Sequence, residues 1–148
     1  MFLLRGAPRL VAFLTLAAVL VVTAGPASAA TGSVQVGPKA TLVAHGVALD
    51  VPVTISLSCD EGFDVGLVDL FVVQARGTSV VFGSGQATFA CTGETQNLTV
   101  RVFGGVFHGG TALATASLLQ CRFEAGFGLV CYRTDISTNE EVMIRGGS

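Results

Sequence analysis

Cys59, Cys91, Cys121 and Cys131 are the residues of this chain whose types and spacing promise the clearest chemistry. Their number is even and none belongs to the C-x-x-C pair that zinc or dithiol redox sites use, so they read as two disulfides of an exported protein. Glu124-Ala125-Gly126-Phe127-Gly128 has the composition of a hairpin tip. Folding about it sets Cys121 opposite Cys131 and leaves Cys59 for Cys91.

Other reactive groups point less far. Asp60, Glu61 and Asp64 carry carboxylates of the kind calcium accepts outside cells, but their spacing matches no EF-hand loop and suits a solvated turn. No metal and no cofactor is expected. His45 and His108 each precede a glycine in a turn. His108-Gly109-Gly110 would serve as an oxyanion loop only beside a G-x-S-x-G elbow between strand and helix, and the sequence offers neither. No catalytic residue is assigned, and the chain reads as a non-enzyme. Gly83-Ser84-Gly85 lacks the lysine and the helix of a phosphate cradle and reads as a tight hairpin turn. Phe63 and Phe107 are large apolar residues in loops otherwise glycine-rich or polar. They suit two roles: contact anchors, with His108 as a neighbour, or plugs folded over the ends of the domain, which is the preferred reading.

Composition narrows the partner classes. Arg5 and Arg9, the apolar run Leu10 to Thr23, and Ala27-Ser28-Ala29 form a secretory leader cleaved after Ala29, assigned to residues 1–29 with a signal helix. Residues 30–148 then make a single domain of 119 residues. Removing Arg5 and Arg9 leaves six basic against ten acidic residues, a formal net charge of −4. With one lysine and scattered arginines there is no basic stripe, so nucleic acid and, after cleavage, membrane are not expected partners. The expected location is extracellular.

The elements that must carry these residues are strands. Val51, Val53, Ile55, Leu57 and Cys59 alternate with polar or small residues, as do Ala87, Phe89 and Cys91, and Leu98, Val100 and Val102. Gly66 to Ala75 is almost continuously apolar, which suggests a strand covered on both sides or an apolar face held against a partner. Short strands are expected on both sides of Gly83-Ser84-Gly85, over Leu129 to Ile136 and over Val142 to Arg145. No stretch after the leader sustains a period of 3.6. The expected fold is all-β: an antiparallel immunoglobulin-like sandwich of about seven to nine short strands, with a closed barrel as runner-up.

The strand ending in Cys59, its acidic loop, Gln74, Gly83-Ser84-Gly85, Cys91-Thr92-Gly93-Glu94 with Gln96, and Phe107 with Gly110 and Ala112 together resemble a family of small exported actinobacterial domains of unknown function. Leu98, where that family has an aromatic residue, and the Cys121 to Cys131 hairpin depart from the pattern. The resemblance implies a secreted β-sandwich with a cysteine bridge and no activity. The hairpin alone also looks like one in the apoproteins of enediyne chromoproteins, which hold an apolar chromophore. The functional expectation is a secreted non-catalytic binding or structural module taking a protein or a small apolar ligand. The alternative is a ligand carrier, which would show a dry cleft lined by Phe71, Phe89 or Leu118.

Overall fold

A computed structural model describes residues 29–146, so the leader and its signal helix lie, except for Ala29, outside the described residues. The chain forms strands β1 (Thr31–Val36), β2 (Lys39–Val43), β3 (Ala48–Ser58), β4 (Val65–Arg76), β5 (Ser79–Ala90), β6 (Gln96–Gly104), β7 (Gly110–Glu124) and β8 (Gly128–Arg145), with a 3-10 turn at Ala44–Gly46. Alternation read from the sequence decides which side chains turn inward. Val51, Val53, Ile55 and Leu57 of β3 pack with Val68, Leu70 and Val72 of β4, Val100 and Val102 of β6, and Ala114, Ala116 and Leu118 of β7 in one core. Both disulfides form as expected, Cys59 with Cys91 and Cys121 with Cys131.

The expected two-sheet sandwich is corrected by the hydrogen bonding, which runs all the way round. β3 pairs with β6 on one edge and with β2 on the other. β2 continues in parallel onto β8, and β8, β7, β4 and β5 follow antiparallel. β5 then returns to β6 through Gly83 opposite Gly104 and Ser84 opposite Phe103. Seven strands therefore close a barrel, and β1 lies as an extra strand along the second half of β3.

Glycine makes the β5–β6 seam possible. A Cβ on Gly85 would stand 2.2 Å from the carbonyl oxygen of Arg101, and one on Gly83 would stand 2.6 Å from that of Phe103. Only a bare backbone lets the two strands approach so closely. Gly83-Ser84-Gly85 is accordingly not the expected hairpin turn, and β5 runs through it without a break. The second seam lies at Gly37-Pro38, where the chain passes from β1, paired with β3, into β2, which lies between β3 and β8. There Gly37 N–H donates to the Pro52 carbonyl at 2.7 Å, and Met143 N–H donates to the Pro38 carbonyl at 2.9 Å. β8 is likewise one strand instead of the expected two, because β7 supplies hydrogen-bonding partners along its length, with one irregularity at Ser117/Leu119.

Charge pairing follows the same register. Asp50 of β3 lies opposite Arg101 of β6, and the guanidinium grips the carboxylate at 2.7 and 2.8 Å. That fork holds Asp50 below the usual carboxylate range.

Candidate functional site

The three candidate contact residues part company. Phe107 is only 1% exposed and sits in the core, its N–H donating to the Gly46 carbonyl at 2.8 Å. It is a plug, turned away from any partner. His108 follows it half-buried, held through its backbone: Gln74 Nε2–H donates to the His108 carbonyl at 2.9 Å, and His108 N–H donates to Gln74 Oε1 at 3.0 Å. Gln74 is thus a buried amide latch on the glycine-rich loop. Its signal was present in the sequence, since it occupies the inward phase of β4 with Leu70 and Val72. Gln74→Ala should leave both His108 backbone groups unsatisfied and cost about 1–3 kcal/mol. Urea unfolding measures the cost, and limited proteolysis between Gly104 and Gly110 shows the released loop; unchanged cleavage there would refute the latch.

A matching latch closes the opposite end. Asp60 N–H donates to Gln120 Oε1 at 2.9 Å, and Gln120 Nε2–H donates to Asp60 Oδ2 at 2.6 Å. The Asp60 carboxylate is engaged by an amide, and no group of three or more His, Cys, Asp or Glu among the described residues is arranged to hold a metal ion.

Phe63 leads to a cluster the sequence reading did not assemble. Its ring meets Tyr132 edge-on, with centroids 5.6 Å apart. The Arg122 guanidinium lies 5.1 Å from the Phe63 centroid and 5.4 Å from that of Tyr132, within cation–π range of both. Glu124 Oε1 completes the group by accepting from Arg122 Nε at 2.8 Å and from the Tyr132 hydroxyl at 3.1 Å. The Arg122 bond first, and the Tyr132 bond after it, hold Glu124 below its ordinary range; Glu124 in turn raises Arg122.

This cluster braces one face of a projecting hairpin. β4 accompanies β7 only as far as Val65 opposite Cys121, whereas β7 and β8 continue pairing through Arg122–Val130, Phe123–Leu129 and Glu124–Gly128. Beyond Cys121 the ladder has two strands alone, and such a ribbon is marginal in water without support. Cys121–Cys131 pins its base across a register pair. Gly126 and Gly128, both at positive φ, turn the tip. On the face away from Phe63 stand Phe123, which is 78% exposed, and Leu129; Phe127 at the tip is 82% exposed. The sequence showed the hairpin but not that it overhangs the barrel, which depends on where β4 begins.

The residues expected to line a carrier cleft do not meet. Phe89 and Leu118 belong to the packed core, while Phe71 lies exposed on the outer side of β4. Among the described residues no helix is long and apolar enough to cross a membrane.

No family model matches this chain, and no curated protein does. Among solved structures, a β-glucosidase from Listeria innocua in complex with isofagomine is similar over 81% of the chain, with a TM-score of 0.44 and 15% identity. A β-glucosidase from Erythrobacter marinus is similar over 80%, with a TM-score of 0.42 and 10% identity. The chain spans 16% of the length of each.

Proposed function

We propose that this protein is a secreted, non-catalytic binding module that engages a partner protein through the tip of its β7–β8 hairpin. The observation that carries this reading is the braced overhang, in which a disulfide and the Phe63–Arg122–Tyr132 cluster hold a two-stranded ribbon whose opposite face and tip present Phe123, Leu129 and Phe127 to solvent. Rigid aromatic anchors lose little entropy on docking and fill apolar pockets well. The leader read from the sequence and two disulfides, which favour an oxidising compartment, support secretion. The resemblance to exported actinobacterial domains fits the same reading.

Phe123→Ser with Phe127→Ser should change stability by no more than about 0.5 kcal/mol, because neither side chain is buried. To test the function, a photo-crosslinking residue is placed at position 127 of the protein in its own culture medium. One discrete adduct is expected there and none from the same residue at exposed Thr99 on β6. Equal labelling from both positions, or none from 127, would discard the hairpin as the binding element.

A further inference from the structure

Outward residues of β4, β5 and β7 form a second apolar surface, separate from the hairpin tip. Register arranges it in rows. Thr111 lies in the row above Leu113, which is opposite Val73, which in turn is opposite Phe82. In the next row Thr115, Phe71, Ser84 and Phe103 follow one another across β7, β4, β5 and β6. Ala75 and Val80 pair at the far end. Phe71 and Phe82 stack with centroids 6.2 Å apart, yet Phe82 remains 61% and Val80 62% exposed. Beside this ridge is a depression of about 390 Å³ lined by Val73, Ala75, Thr111, Ala112, Leu113 and Glu141.

We propose that this face joins a second copy of the same chain in a two-fold dimer, Phe82 of each protomer seating in the Val73–Leu113 depression of the other. Three observations select a second copy as occupant. The first is geometric: a two-fold axis along β4 lays β5 of each protomer over β7 of its partner, so ridge and depression, which flank β4 on opposite sides, meet twice. The second is the lack of charge within the contact: the rows of the face hold no charged side chain, Glu141 stands at the outer wall of the depression, and Asp69 lies one row beyond Phe71, at the open edge of the face. The third is size. Exposed Phe71, Phe82, Phe103, Val80 and Leu113 offer roughly 500 Å² of apolar surface, and the threonines, serine and alanine between them bring the face near the roughly 800 Å² per partner of a standard stable interface. Two such sheets pack face to face as the layers of a β-sandwich do.

Sedimentation velocity on the protein from its culture medium, over a dilution series up to about 50 μM, tests this. Wild type is expected to pass from monomer to dimer. Because Phe82 occurs at both symmetric contacts, Phe82→Asp should weaken the dimer by about 100-fold or more at an unchanged melting temperature of the monomer. Phe82→Ser and Leu113→Asp provide the same test should Phe82→Asp fold poorly. Phe127→Ser should leave the dimer intact, which separates this interface from the hairpin. Monomeric wild type throughout the series, a dimer that survives both Phe82→Ser and Leu113→Asp, or a dimer lost with Phe127→Ser would overturn the proposal. So would a different molecule, protein or lipid, found bound to the face in the wild-type sample.

Discussion

Phe107→Ala is expected to destabilise the protein by about 3–5 kcal/mol, the cost of removing a fully buried aromatic side chain and leaving its cavity. Among the described residues Phe107 is the largest of the fully buried side chains, and it reaches the core from a loop, the glycine-rich connection between β6 and β7. Its ring faces the β5–β6 seam: a Cβ on Gly83 would lie 2.9 Å from its Cζ. Alanine would therefore leave empty space where β5 and β6 meet through only two register pairs. Since a domain usually has about 5–15 kcal/mol of stability in all, the loss would be a large part of it. Urea denaturation with Phe127→Ala as the exposed control separates the two roles considered for Phe107. A cost below about 1 kcal/mol, no greater than the control, would reject the plug.

The next largest effect is expected from Cys59→Ala with Cys91→Ala. The bridge joins the ends of β3 and β5, whose residues are 32 apart in sequence and whose strands share no ladder. Closing a loop of that length in the unfolded chain corresponds to about 3.5–4 kcal/mol, or roughly 15 °C of melting temperature for a domain of this size. Cys121–Cys131 spans 10 residues and corresponds to about 3 kcal/mol. Its removal should also have a local signature. Amide exchange in Arg122–Val130 should accelerate more than in the barrel, since the overhang loses its pin while keeping only one lateral neighbour per strand. Calorimetry of the two double variants compares the bridges. Equal losses below about 1 kcal/mol would show that chain entropy does not govern either.

Much of this protein was legible in its sequence because the information was local. A period of two tells which side chains of β3 and β6 face inward, and the glycine-rich tip between Cys121 and Cys131 specifies a hairpin that brings its cysteines together. Pairing the remaining cysteines then followed by exclusion. Periodicity carries no information about which strand lies beside which, so sandwich and barrel looked alike until β2 was seen to bridge β3 and β8, and β5 to bridge β4 and β6. Gly83-Ser84-Gly85 illustrates the reason: a glycine needed for close approach to a distant backbone has the same sequence signature as one needed for a turn. Phe63 is similar, since nothing near it in sequence shows that Arg122 and Tyr132 would come to stand beside it. The sequence by itself determined that the chain is built of strands, which side chains of β3 and β6 face inward, and the two bridges, because backbone period and chain spacing act within a few residues; it did not determine that β5 and β8 run unbroken. Only the tertiary structure decided the closure of the barrel, the overhang of the hairpin and the apolar outer face of β4, β5 and β7, because each depends on contacts between segments far apart in the chain.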